Sequence, residues 1–171
     1  MHDLTVSVAD ILGAPGKYRD IAFDADLPEV HNALARVGDR PVSARLRAES
    51  VVEGVLVTGR LDTLASVECA RCLDRTDEPM SLEVCELFAG PGHDADPDAY
   101  RLSGPEMDLR PMLVDSVALA LPLRPLCRAE CRGLCPSCGR NLNLGACDCT
   151  TEVTDPRWAP LSALRERLES G

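Results

Sequence analysis

Val42-Ser43-Ala44-Arg45-Leu46-Arg47-Ala48-Glu49 alternates apolar and polar residues with period two. That is the pattern of a strand with one face buried and one face wet. It resumes in Val55-Leu56-Val57-Thr58-Gly59-Arg60-Leu61 and in Ala65-Ser66-Val67-Glu68. Glu53-Gly54 reads as the turn between antiparallel neighbours. A return strand is expected over Ser81-Leu82-Glu83-Val84-Cys85-Glu86-Leu87-Phe88. Between the two long runs stands Cys69-Ala70-Arg71-Cys72, where a strand ends and the chain reverses. Upstream, Leu4-Thr5-Val6-Ser7-Val8 and Tyr18-Arg19-Asp20-Ile21-Ala22-Phe23 are short β-like stretches broken by Pro15-Gly16.

Helices are expected at three places. Residues 27–37 place Leu27, Val30, Leu34 and Val37 on one face, with Asp26 as N-cap. Residues 108–121 place Leu109, Met112, Leu113, Val117 and Leu121 on one face, with Asp108 as cap and Pro111 tolerated in the first turn. A final amphipathic helix carries Leu161, Leu164 and Leu168 after Asp155-Pro156-Arg157-Trp158. Residues 90–106 are rich in Gly, Pro and Asp and read as an exposed loop. The alternating carboxylates of His93-Asp94-Ala95-Asp96-Pro97-Asp98 lack the central glycine and terminal glutamate of an EF-hand, so a solvated acidic loop is expected.

The cysteines carry the chemistry. Cys127 to Cys149 reads Cys-x3-Cys-x3-Cys-Pro-x-Cys-Gly-x7-Cys-x-Cys. With Cys69 and Cys72, this makes four close pairs, the ligand arithmetic of two closed tetrahedral thiolate sites for zinc. The expected metal ligands are Cys69, Cys72, Cys127, Cys131, Cys135, Cys138, Cys147 and Cys149, with two Zn2+ per chain. A disulfide framework competes, but cysteines one or two residues apart rarely meet disulfide geometry with each other. The first residues, Met1-His2-Asp3-Leu4-Thr5, have neither a basic stretch nor an apolar run, so a cytoplasmic location with reduced thiols is expected. The longest apolar stretch, Val117 to Leu121, stops at Pro122, so no membrane span is expected.

Four pairs combine into two sites in three ways. The most local choice joins Cys135 and Cys138 to Cys147 and Cys149, closing a short loop at small entropic cost. Cys69, Cys72, Cys127 and Cys131 then form the other site and staple the β-rich body to the segment after the long helix. The ninth cysteine, Cys85, lies inside a strand pattern and is expected to be a buried small apolar residue. Together these readings give an α+β fold: an antiparallel β-rich body with a few helices and a C-terminal Cys-rich, zinc-ribbon-like module. The divisions are 1–124 for the body, with its helix near 108–121, 125–152 for the module and 153–171 for the last helix.

With two Phe, two Tyr and one Trp in 171 residues, the core has to be aliphatic. The formal charge of −10 falls to about −14 when two all-thiolate zinc sites close. Such a chain is not a bulk nucleic-acid binder, and it lacks the aromatic platforms on which bases stack. Its charge is uneven, however. Arg124, Arg128, Arg132 and Arg140 face only Glu130 in their segment. Arg128, Arg132 and Arg140 are therefore candidate RNA or partner contacts, or else counter-charges for the thiolates.

Several stretches together resemble the YceD family, the large ribosomal RNA subunit accumulation proteins. They are Cys69-Ala70-Arg71-Cys72-Leu73, the helix ending Leu121-Pro122, Cys131-Arg132-Gly133-Leu134-Cys135-Pro136-Ser137-Cys138-Gly139-Arg140-Asn141-Leu142-Asn143, and Asp155-Pro156-Arg157. The resemblance implies a bacterial or plastid factor needed for normal levels of large-subunit (23S) rRNA. Its expected partner is the large-subunit rRNA precursor or a ribosome-assembly protein, with no small-molecule substrate. Some family members keep the first Cys-x2-Cys without the terminal block, which sets Cys69 and Cys72 apart from Cys135 and Cys138. Two other classes compete. A thiol- or zinc-responsive regulator would exploit arginine-activated sulfur. A metal-dependent nuclease is the weaker, because His2, His31 and His93 stand in unrelated contexts and no paired-carboxylate or nucleophile motif appears.

Overall fold

The computed structural model describes residues 4–92 and 99–149, and Arg157 and Leu161 singly. The final helix expected over 153–171 and the acidic stretch 93–98 lie outside the described residues, as do His2 and His93.

The period-two runs become one antiparallel meander. β4 (Val42–Val51) turns through Val52 and Glu53 into β5 (Gly54–Glu68), and β5 turns through the Cys69–Asp74 loop into β6 (Arg75–Ala89). β2 (Tyr18–Ala25) pairs along β4, and β7 (Tyr100–Arg101) adds to β6 in parallel, giving the order β2-β4-β5-β6-β7. A two-stranded sheet joins β1 (Thr5–Ser7) to β8 (Glu106–Asp108). β5 and β6 are 15 residues each, about 50 Å at the usual strand rise. β4 pairs with β5 only from Gly54 to Asp62, so the far end of the hairpin runs on past it. That overhang carries the Cys69–Cys72 loop.

Alternation decides which residues enter the core. Val42, Ala44, Leu46 and Ala48 of β4 and Val55, Val57, Leu61, Ala65 and Val67 of β5 are buried. α1 (Arg110–Ala120) adds Met112, Leu113 and Val117 to the same cluster, and among the described residues Phe88 is the one aromatic buried in it, with Phe23 and Tyr100 packed at its edge. The core is aliphatic, as the composition requires. At Gly59 no other residue fits, because a Cβ there would lie 2.2 Å from the Arg45 carbonyl oxygen on β4.

Four expectations need correction. Residues 90–106 are not an exposed loop throughout: Tyr100–Arg101 form β7, Leu102 is buried and Glu106 opens β8. Residues 27–37 are not a helix. Leu27 to Val30 form a turn closed by Val30 N–H to the Leu27 carbonyl (3.1 Å), and residues 35–37 are β3 (Ala35–Val37), paired to Ala65–Val67 of β5. Asn32 Oδ1 accepts the N–H groups of Leu34 and Ala35 (both 2.9 Å) and so sets up the strand. The overhanging edge of β5 needed a backbone partner, and this demand outweighed the helical spacing. Cys85 is exposed, not buried: Val84 faces the core, so its neighbour points outward, opposite Thr58. The N-cap of α1 is Leu109, one residue later than expected, although Asp108 Oδ1 still accepts the Arg110 N–H at 2.9 Å. Pro111 does lie in the first turn. No helix among the described residues is long and apolar enough to cross a membrane.

Candidate metal centres

The β5–β6 hairpin presents Cys69 and Cys72 at its tip. Cys69 N–H bonds to the Asp74 carbonyl and Leu73 N–H to the Cys69 carbonyl (both 2.9 Å), with Leu73 in the left-handed region at φ 62°. After α1, Pro122 and Pro125 turn the chain back under this tip, where Ala70 N–H meets the Pro125 carbonyl at 2.8 Å. Cys127 and Cys131 follow. The four sulfurs of Cys69, Cys72, Cys127 and Cys131 lie within 4.8 Å of one another. Cys69 and Cys131 sulfurs are 3.7 Å apart, and those of Cys72 and Cys127 are 3.6 Å apart. Sulfurs 2.3 Å from one tetrahedral zinc would sit about 3.8 Å apart, whereas a disulfide needs about 2.05 Å. Leu126 and Leu134 pack against this inner cluster; Cys69 (1%), Cys72 (4%) and Cys131 (3%) are nearly inaccessible and Cys127 is half-buried.

Cys135, Cys138, Cys147 and Cys149 form the outer cluster, again with all sulfurs within 4.8 Å. A knuckle holds the first pair: Gly139, at φ 71°, donates its N–H to the Cys135 carbonyl (2.9 Å), and Cys135 N–H bonds to the Arg140 carbonyl (2.8 Å). Cys135 is buried, Cys147 is half-buried, and Cys138 and Cys149 are exposed. The two clusters therefore use the same donor set at very different depths.

Protonation is shared unevenly within each cluster. Burial raises the Cys69 thiol, but the backbone N–H groups of Cys127, Cys72 and Arg71 outweigh it and bring its pKa down to about 6. At Cys72 the Asp74 amide pulls downward, yet burial, the Asp74 carboxylate and the neighbouring sulfurs push the thiol well up. The side-chain amide of Asn143 is the largest influence on Cys131 and lowers it. Cys135 is held at about 6 by the amides of Cys138 and Ser137, while Cys138 and burial push Cys149 up to about 12. Neighbouring sulfurs in each cluster are thus pushed in opposite directions, and a dication entering four sulfurs displaces whatever protons they hold. The leading influences on these sulfurs are burial, backbone amides, the Asn143 and Asp74 side chains and one another, with no arginine side chain among them.

Arg128, Arg132 and Arg140 are all exposed around the clusters. Arg140 Nη1 donates to the Ala146 carbonyl (3.1 Å). His31 lies apart from the sulfurs in sequence and in surroundings, lining a groove of about 400 Å³ with Asn32, Arg36 and Glu68, whose carboxylate is held by Arg75 at 2.7 Å. Sequence reasoning missed Arg71, Asp74, Asn141 and Asn143. Arg71 Nη1 donates to the Cys131 carbonyl at 2.9 Å, and Asn143 Nδ2 donates to Cys131 Sγ at 3.3 Å. The Asn141-Leu142-Asn143 spacing inside the cysteine block was the available signal.

This architecture, a β meander whose hairpin tip and post-helix segment converge on two tetra-cysteine clusters, defines a protein with two candidate thiolate metal centres. Residues 57–165 match the family described as "Large ribosomal RNA subunit accumulation protein YceD", and the chain belongs to that family. An uncharacterized protein of Mycobacterium bovis is 41% identical over 121 residues, covering 68% of this chain and 58% of its own length. One from Mycobacterium leprae is 33% identical over 144 residues, covering 76% of this chain and 65% of its own. The chloroplastic "Large ribosomal RNA subunit accumulation protein YCED homolog 1" of Arabidopsis thaliana is 38% identical over 64 residues, covering 37% of this chain and 20% of its own. The chain thus spans less than two thirds of these relatives. No solved structure matches.

Proposed function

We propose that this protein is a non-enzymatic, cytoplasmic zinc-binding factor that supports accumulation, processing or assembly of large-subunit (23S) rRNA. Two Zn2+ ions per chain are assigned to it, one in Cys69, Cys72, Cys127 and Cys131 and one in Cys135, Cys138, Cys147 and Cys149. The observation that carries this reading is the pair of closed four-sulfur constellations, set in a chain of the rRNA-accumulation family. Four thiolates leave no open position for water or substrate, so a bound zinc supplies a cross-link and no reaction. On this reading the 125–152 module is not independent of the 1–124 body, because the inner ion draws two ligands from each. Arg128, Arg132 and Arg140 are proposed to touch the rRNA precursor or an assembly protein. They are exposed and do not rank among the leading influences on the sulfurs.

Replacing Arg128, Arg132 and Arg140 together by Gln tests that surface. The variant should keep two zincs and its fold yet fail to restore the ratio of large- to small-subunit rRNA in cells lacking the protein. Its association with pre-ribosomal particles should also lose part of its salt dependence. Normal rRNA balance without the protein would remove the ribosomal assignment. A second reading, a thiol- or zinc-responsive regulator, draws support from the exposure of Cys138 and Cys149. It requires mild oxidant to release zinc reversibly and to change binding to the same particles.

A further inference from the structure

The loop closed by the outer cluster reaches into the inner one. Residues 139–146 connect Cys138 to Cys147, so an ion in the outer cluster pins both ends of this loop. Its middle pairs with the strand-like segment before Cys135: Leu134 bridges to Asn141, and Leu142 N–H bonds to the Gly133 carbonyl at 2.9 Å. From there three side-chain bonds cross to the inner cluster. Asn143 Nδ2 donates to Cys131 Sγ (3.3 Å), Asn143 Oδ1 accepts the Arg132 N–H (2.8 Å), and Asn141 Nδ2 donates to Asp74 Oδ2 (3.1 Å). Asn141 Oδ1 in turn accepts Asn143 Nδ2 (2.9 Å) and Asn143 N–H (3.0 Å), which fixes the orientation of both amides. Asp74 Oδ2 is also the acceptor of the Cys72 thiol at 3.2 Å. One ligand from each half of the inner cluster is therefore approached by a loop that belongs to the outer cluster.

We infer that Asn143 is a positioning residue of the inner cluster, and that through it the inner cluster holds metal more tightly when the outer cluster is filled. A thiolate that accepts an N–H bond is a better-stabilised anion and a better-aimed ligand. The bond forms only if the 139–146 loop is ordered, and the outer ion supplies that order. Thermodynamic linkage makes the effect reciprocal: an ion in the inner cluster holds Cys131, hence Asn143, and tightens the outer site by the same factor. Depth sets the direction of use. The outer cluster has two exposed cysteines, Cys138 and Cys149, whereas three of the inner four are buried and Cys127 is half-buried, so the outer ion is the more accessible. Loss of the accessible ion would therefore be transmitted inward to the joint between hairpin and post-helix segment. This inference rests on the metal-binding reading above.

Cobalt(II) titration of the full chain against a competing chelator tests it, read by the thiolate-to-cobalt charge-transfer band. Cys138→Ser with Cys149→Ser isolates the inner affinity, Cys72→Ser isolates the outer one, and the intact chain yields the product for both. The ratio of that product to the two isolated affinities is the coupling, expected to be about tenfold from one hydrogen bond to a charged group. In an Asn143→Ala background the ratio should collapse to about one. Asn143→Asp keeps the acceptor for the Arg132 N–H but loses the donor to sulfur, and its ratio should collapse as well. Coupling retained in Asn143→Asp but lost in Asn143→Ala would show that loop folding carries it and would overturn the positioning role. A ratio near one in the unmodified background would overturn the coupling while leaving two metal sites intact. Absence of any charge-transfer band would instead sink the metal reading itself.

Discussion

Gly133 and Gly139 share one backbone conformation, φ 71°, in two different surroundings. A Cβ on Gly139 would meet nothing within 4 Å, whereas one on Gly133 would lie 3.0 Å from the Arg71 carbonyl oxygen and 3.3 Å from Arg71 Cβ. Left-handed backbone costs an L-residue about 1–2 kcal/mol wherever it occurs. Gly139→Ala should therefore cost about that much. Gly133→Ala should cost more, because it also pushes Arg71 off the Leu134 N–H (3.0 Å) and the Cys131 carbonyl. Denaturant midpoints of the two metal-loaded variants measure the difference, and equal midpoints would show that the Arg71 contact contributes nothing. The same scale explains what was legible at single residues. Clustered cysteines announce themselves by spacing, whereas Asn143 is one polar residue among many until the fold sets its amide 3.3 Å from Cys131 Sγ.

At the scale of elements, the Tyr100 hydroxyl of β7 donates to Asp115 Oδ2 of α1 at 2.9 Å, while the Tyr100 ring stacks on Phe88 of β6 at 5.3 Å between centroids. Burial, then the Asp115 carboxylate, raise the Tyr100 hydroxyl to about 12. A folded-state pKa above the unfolded value of about 10 means that folding favours the neutral phenol. Its contribution is complete below about pH 10 and is lost as pH rises through about 12. Tyr100→Phe keeps the stack and loses the bond, so it should cost about 1 kcal/mol at neutral pH. The gap between variant and parent should close in melts taken above pH 10, and a gap independent of pH would show that Asp115 does not hold the phenol. β3 teaches the complementary lesson about elements. Its apolar spacing fits a helix, and only the unpaired edge of β5 beyond Asp62 made a strand the better answer.

Across the whole molecule, the clusters decide which parts stay together. The inner cluster joins the tip of a hairpin to a segment more than fifty residues later, as the 3.6 Å approach of Cys72 and Cys127 illustrates. The outer cluster closes only its own loop. A structural zinc contributes on the order of 10 kcal/mol to folding, so loss of either should be visible. Cys138→Ser should unravel the terminal module while the β meander keeps its cooperative melt. Cys72→Ser should free the segment around Cys127 from the hairpin tip and raise amide exchange at Ala70, whose N–H meets the Pro125 carbonyl. Native mass spectrometry should show one zinc in each single variant and none in the double variant, and a double variant that keeps one zinc would refute the pairing.

The features legible along the chain are those that local chemistry controls. Period-two alternation from Val42 to Phe88 sufficed for the meander, because a strand buried on one face tolerates no other register, whereas its first turn falls at Val52-Glu53, one residue before the expected Glu53-Gly54. Cysteine spacing left three ways to pair the four close pairs and favoured this one, since the shorter loop closes at smaller entropic cost. Parity alone already placed Cys85 opposite in facing to Val84, although its burial was misread. What only the tertiary structure decided was non-local: β3 as a strand, the overhang that lifts Cys69 and Cys72 beyond β4, and the amides of Asn141 and Asn143 laid across from one cluster to the other. Each of these depends on which distant backbone or sulfur lies unpaired nearby, a quantity that exists only once the chain has folded back on itself.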